Sequence, residues 1–185
     1  MSARYPVRAT ESARLWAIAG AGLVLDALTK VWAAQTLTLG HYWPSASSPA
    51  RLRLAFNANL NLGLTLPGGG RLIYSLLGTA VMLVILITAW RLSADARRYV
   101  IALGLLIGGG LGNLLERMLR GSVTDFLNLH AGSFNVADVL LTLGLLLYLR
   151  VRVRDGFRQE GWTWRTIWTI PHILPPSVRV SPRRA

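Results

Sequence analysis

From Leu72 to Trp90 the chain carries no charged side chain, and this run constrains the fold more than any other feature of the sequence. About 20 apolar residues wound as an α-helix cross the hydrocarbon core of a bilayer. Three further runs have similar character: Leu15 to Ala34, Tyr99 to Leu119, and the shorter Phe134 to Leu149. With 52% hydrophobic and only 15% charged residues, the chain is too apolar for an ordinary soluble domain. The expected fold is an all-α membrane protein of four transmembrane helices with a small strand and loop region on the outer face. The first run carries Asp26 and Lys30 and is followed by no small-residue cleavage site. It reads as a retained helix rather than a signal peptide.

Basic residues set the orientation. Arg4, Arg8 and Arg14 precede the first run, Arg91, Arg97 and Arg98 lie between the second and third, and Arg150, Arg152, Arg154 and Arg158 follow the fourth. Positive charge collects on the cytoplasmic side, so both termini are expected there. Residues 35–71 and the shorter segment 120–133 then face outward. In residues 35–71 the alternation Arg51-Leu52-Arg53-Leu54 predicts a short strand or hairpin. Two parts follow: a membrane domain over residues 14–150 with its outer loop 35–71, and a basic, Trp-rich cytoplasmic tail over 151–185. In that tail Trp162, Trp164 and Trp168 alternate with Arg158 and Arg165, a mixture suited to the headgroup level and equally to a disordered tail.

Composition excludes several functions. Lys and Arg outnumber Asp and Glu 20 to 8, but a nucleic-acid binder presents its basic face on a soluble fold; loops beside anionic lipid account for the charge better. The absence of cysteine removes disulfides, thiolate nucleophiles and Cys-based metal sites. His41, His130 and His172 have no metal-ligand spacing, so no metal site is expected.

The ionisable residues inside or beside the apolar runs carry the functional information, because each is costly there without a partner or a task. Asp26 and Lys30 are four apart, acid first, the favoured order for an ion pair on one helix face. Asn113 and Arg117 share a face at the end of the third run, where with Glu116 they can form a polar network. Asp125 and Asp138 flank the short outer connection between the third and fourth runs, which brings them to one membrane depth. Two carboxyls sharing a site cannot both ionise easily, so one keeps a proton while the other acts as a base. Such a pair can activate water and polarise a carbonyl. The plainer alternatives are a loop acid at Asp125 and a helix-dipole acid at Asp138. Asn135, three residues before Asp138, points the same way and can orient the acid or a substrate backbone. Gly104, Gly108 and Gly112 form a small-residue stripe for close helix packing.

The runs Ile107 to Arg117, Gly121 to Phe126 and Phe134 to Asp138, with Leu25 to Lys30 in the first apolar run, resemble the motifs of bacterial lipoprotein signal peptidase. The likeness covers roughly residues 14 to 150. It implies an intramembrane aspartic endopeptidase of the bacterial inner membrane that removes signal peptides from prolipoproteins, cutting before a diacylglyceryl-modified cysteine. It also implies no metal or organic cofactor, and a multi-pass protein expected to act as a monomer. The family's catalytic aspartates fall on Asp125 and Asp138, and its supporting polar residues on Asp26, Lys30, Asn57, Asn113, Arg117 and Asn135. Asn59 and Leu60 stand where that family has small residues, which suits a specificity-altered or non-catalytic paralogue that binds lipidated peptides. A proton-coupled carrier is the third alternative, weakened by the lack of an inverted repeat.

Overall fold

The computed structural model describes residues 9–58, Val84, 96–129 and 132–159. The elements in chain order are α1 (Ala9–Thr36), β1 (Ala50–Asn57), α2 (Ala96–Arg120), β2 (Val123–Leu129), β3 (Gly132–Phe134) and α3 (Val136–Gln159). The chain divides after Tyr148 into two compact units; of the second, the structure describes the α3 residues up to Gln159. The expected second crossing, the Trp-rich stretch after Glu160 and the Asn59 to Leu62 departure lie outside the described residues.

Two of these helices, over Thr10–Thr36 and Arg98–Arg120, are long and apolar enough to cross a membrane. The exposure pattern of α1 is inverted relative to a water-soluble protein. On α1, Asp26 and Lys30 are buried at 1% and 6% exposure, while Leu28 is 63% exposed and Val24, Leu25 and Trp32 are open as well. Ionisable groups inside and leucines outside are what lipid as solvent demands. The fourth apolar run forms α3, but its apolar stretch is short. Asp138 occupies its first turn, and the helix continues past Leu149 through Arg150, Arg152 and Arg154.

The glycine stripe is the α1–α2 contact. A Cβ at Gly104 would lie 2.8 Å from the Ile18 side chain, at Gly108 2.6 Å from the Ala19 carbonyl oxygen, and at Gly112 2.5 Å from Asp26 Oδ2. Close backbone approach of this kind is how helices bind one another in lipid. Gly108→Ala sets a methyl against main chain, which cannot move aside. We expect a loss of stability of about 1–3 kcal/mol, read as a lower midpoint in thermal unfolding in detergent. Gly20, which meets nothing within 4 Å among the described residues, is the control, and Gly20→Ala should leave the midpoint unchanged or slightly raised.

Beside the helices, the expected small strand region is a three-stranded antiparallel sheet, β1-β2-β3, larger than the single short strand or hairpin expected. The alternation at 51–54 does form a strand, extended to Asn57. The segment after Arg120, expected as a mere connection, supplies two strands. Gly121, at φ 77°, closes α2 through a hydrogen bond from its N–H to the Arg117 carbonyl at 2.9 Å and turns the chain into β2. Only glycine takes that left-handed conformation freely. β1 then pairs along β2 from Ala50 opposite Leu129 to Asn57 opposite Val123, with a bulge between Leu52 and Ala55. This pairing brings Asn57 to the strand that carries Asp125.

Candidate active site

Asp125 sits on β2 and is 1% exposed. Its two carboxylate oxygens each receive an amide: Asn57 Nδ2 donates to Oδ2 at 3.0 Å and Asn135 Nδ2 to Oδ1 at 2.7 Å. Asp138 lies in the first turn of α3. It accepts from Asn113 Nδ2 at 2.8 Å and from the Asn135 backbone N–H at 3.2 Å, while its own N–H donates to Asn135 Oδ1 at 3.0 Å. The last two bonds are a reciprocal helix cap, with Asn135 as the capping residue and Asp138 in the third helical position. Asn135 therefore holds both carboxyls at once, through its side chain on Asp125 and its backbone on Asp138.

The pair is brought together by a strand and a capped helix, not by two helices at one depth as the sequence suggested. Burial pushes the Asp125 carboxyl up to about 6; the amide of Asn57 opposes this, the negative charge of Asp138 adds to it, and Asn135 and Lys30 pull it back. A carboxyl balanced this way changes its protonation near neutral pH.

Beneath the pair lies a buried ionic network. Lys30 Nζ contacts Asp26 Oδ2 at 2.7 Å and Glu116 Oε2 at 3.2 Å, and donates to Asn113 Oδ1 at 2.9 Å. Asn113 thus links Lys30 to Asp138. Asp26 Oδ1 accepts the Ala137 N–H at 2.8 Å, capping α3 from α1. Glu116 receives the Thr124 N–H at 3.0 Å and its hydroxyl at 2.5 Å, which anchors the residue next to Asp125. The expected Asp26–Lys30 ion pair is present, and its reach extends to both arms of the carboxyl pair.

Arg117 is half-buried, with the charges of Asp138, Asp125 and Glu116 all acting on it. Its Nε has no hydrogen-bond partner among the described residues. Beside Asp138 an open, largely apolar groove of about 190 Å³ is lined by Phe134, Val139, Thr142 and Leu143.

All eight residues singled out in the sequence converge on one region. Asn57 donates to Asp125, Asn113 and Asn135 to the pair, and Asp26 and Lys30 lie behind it. Thr124, fully buried, was missed. It lies within the Gly121 to Phe126 motif but has no chemistry of its own; its part is to hold Glu116. Among the described residues no group of His, Asp and Glu side chains is arranged to hold a metal ion.

The model of signal peptidase (SPase) II matches residues 18–153. A lipoprotein signal peptidase of Methylobacterium sp. (strain 4-46) is 36% identical over 135 residues, covering 70% of this chain and 82% of that protein. One of Polynucleobacter necessarius subsp. necessarius (strain STIR1) is 33% identical over 155 residues, covering 80% and 94%. Among solved structures, a bacterial membrane enzyme determined by the in meso method at 2.3 Å resolution superposes with a TM-score of 0.65. It is 23% identical and covers 88% of this chain and 99% of its own.

Proposed function

The chain belongs to the signal peptidase II family, and from that membership we propose that it removes signal peptides from diacylglyceryl-modified prolipoproteins by aspartic hydrolysis, with Asp125 and Asp138 as the catalytic pair. The observation that carries the reading is the double role of Asn135, which ties the buried Asp125 and the half-buried Asp138 into one site. The ionised member takes a proton from water as the water oxygen attacks the scissile carbonyl. The protonated member delivers its proton to the carbonyl oxygen. Collapse of the tetrahedral adduct breaks the C–N bond and returns a proton to the leaving amine, so one water is consumed and the pair is restored.

Asp125 begins as the acid, because its deeper burial, with the charge of Asp138 added, favours its protonated form. Asn57 and Asn135 orient it. Asn113, with Lys30 and Asp26 behind it, orients Asp138. Arg117 supplies positive charge beside the developing oxyanion. The apolar groove at Phe134, Val139 and Leu143 accepts an apolar part of the substrate next to Asp138.

The proton-sharing state sets the pH dependence. In the free enzyme the shared proton leaves as pH rises through about 6. The basic limb of kcat/KM for a lipidated precursor therefore lies near that value, while a bound peptide excludes water and moves the limb of kcat higher. Asn57→Ala removes the amide that most favours ionised Asp125, so both limbs move to higher pH. A profile flat from pH 5 to 8, or a downward shift in Asn57→Ala, would contradict the assignment.

The protein crosses the bacterial inner membrane four times in this reading, through α1, residues 72–90, α2 and α3. The sheet, with the outer loop 35–71, faces outward, and both termini and the tail 151–185 are cytoplasmic. The membrane domain of residues 14–150 works as a monomer without a cofactor. The basic residues after Leu149 support this orientation. A reporter enzyme fused after Gln159 should be active only as a cytoplasmic reporter; activity of an exported reporter at that position would reverse the topology.

A further inference from the structure

Tyr42, Arg51 and Arg53 form a basic cluster that the proposed chemistry does not use. Both guanidiniums lie over the Tyr42 ring, at 4.5 Å for Arg51 and 5.0 Å for Arg53. Arg51 is fixed on its inner side, where Nε donates to Asn128 Oδ1 at 2.7 Å and Nη1 to the Ala46 carbonyl. Arg53 Nη1 donates to the Tyr42 hydroxyl at 3.0 Å, while its Nε is buried without a hydrogen-bond partner among the described residues. An aromatic face attracts each cation only modestly, and two cations at one ring repel. No negative charge that offsets them is found among the described residues: residues 35–71 contain no Asp or Glu, and neither arginine has an acidic partner among the described residues.

The surroundings identify what supplies that charge. Trp43 pairs with Leu52 through two backbone hydrogen bonds, 2.9 and 2.8 Å, so its side chain lies on the Leu52 face of the strands, opposite Tyr42 and the two arginines, and the residue is 65% exposed. Leu39, nearby in the chain, is 59% exposed. β2 follows closely on the C-terminal end of α2, and β1 follows α1 across residues 37–49, on the side where those helices leave the hydrocarbon. Strands that expose tryptophan on one face and carry arginine on the other at that depth have the composition of a headgroup anchor.

We propose that Tyr42, Arg51 and Arg53 bind the phosphodiester of an anionic phospholipid headgroup, with Trp43 lying in the adjoining boundary between headgroups and acyl chains. The assignment rests on α1 and α2 crossing the membrane, and not on the cleavage chemistry. It has a consequence for the site, because β1 continues from Arg53 to Asn57, four residues or about 13 Å farther along the strand. A lipid held at the arginines steadies the strand that delivers the Asn57 amide to Asp125.

The test is thermal unfolding of the purified full-length protein in neutral detergent, titrated with dihexanoyl phosphatidylglycerol, dihexanoyl phosphatidylcholine or inorganic phosphate. Because the readout is binding, a failure of the peptidase reading leaves it unaffected. Phosphatidylglycerol should raise the unfolding midpoint saturably, and the other two should not. The double substitution Arg51→Gln, Arg53→Gln should weaken half-saturation about thirtyfold, the loss of two basic contacts at a membrane surface. The pair Arg51→Lys, Arg53→Lys should keep most of the effect, and added salt should weaken it in the unmodified protein. An equal rise with phosphatidylcholine or with phosphate, or an undiminished rise in the Gln pair, overturns the proposal. Should the Gln pair fail to fold, a phosphatidylglycerol effect insensitive to salt overturns it equally.

Discussion

Asp125→Asn and Asp138→Asn should each lower turnover of a lipidated precursor by a factor of about 10² or more, the scale that a positioned acid or base supplies. Neither substitution changes the side chain's size, so packing around it is kept. The hydrogen-bond geometry sharpens this expectation. Asp125 accepts amides on both oxygens, from Asn57 and Asn135. Asparagine offers one oxygen and one NH2 group, so one of those donors would face another donor. Asp138 likewise receives Asn113 on one oxygen and the Asn135 N–H on the other. Each variant therefore loses its ionisable group and also loosens the bridge at Asn135. Binding of an uncleavable lipidated analogue should survive, since the apolar contacts remain. Turnover within a few-fold of the unmodified protein in either variant would remove that residue from the catalytic pair.

The second large effect is on folding. Lys30 is the cation of a buried network, 2.7 Å from Asp26 and 3.2 Å from Glu116. Lys30→Met keeps the volume, leaves the buried Asp26 carboxylate without its counter-charge, and leaves Glu116 with only the exposed Arg120 as an ion-pair partner among the described residues. Breaking a buried ion pair from one side costs about 3–5 kcal/mol, a large part of the total stability of about 5–15 kcal/mol. We expect the yield of monodisperse protein in gel filtration to fall severely, because Asp26 also caps α3 through Ala137 and Glu116 also holds Thr124. The surviving fraction should retain a larger share of its turnover per molecule than either aspartate variant. Full yield combined with abolished cleavage would instead place Lys30 in the chemistry.

Much of the site was legible because lipid makes polar residues conspicuous. Asp26, Lys30, Asn113 and Arg117 stand out against apolar runs, and the spacing of Asp26 and Lys30 alone fixes their pairing. The carboxyl pair was legible from its position at the two ends of a short connection. What lay between them was not. Val123, Thr124, Asp125 and Phe126 are all buried, so β2 lacks the apolar–polar alternation that marks a half-buried strand. The pairing of β1 with β2 joins residues as far apart as Arg51 and Asn128, and no local pattern encodes a partner at that distance. Nor does a sequence mark backbone donors: the Ala137 N–H that Asp26 accepts and the Asn135 N–H on Asp138 appear only once the helix start is in place. The role of Asn135 was half visible. Its three-residue spacing from Asp138 predicted a shared direction, while its side-chain reach to Asp125 depended on the unforeseen strand.

The central claim, that this chain hydrolyses lipidated prolipoproteins through Asp125 and Asp138, is tested most directly by mass analysis of the products from one precursor in two forms. Precursor carrying the diacylglyceryl group on its cysteine, and the same precursor without lipid, are each incubated with the purified protein and with its Asp138→Asn variant in a neutral membrane mimic. The account predicts that the unmodified protein cuts the lipidated form at the bond just before the modified cysteine, leaves the unlipidated form largely intact, and that the variant cuts neither at a comparable rate. A folded protein that leaves the lipidated precursor whole, or an Asp138→Asn variant that cuts it as fast, would contradict it.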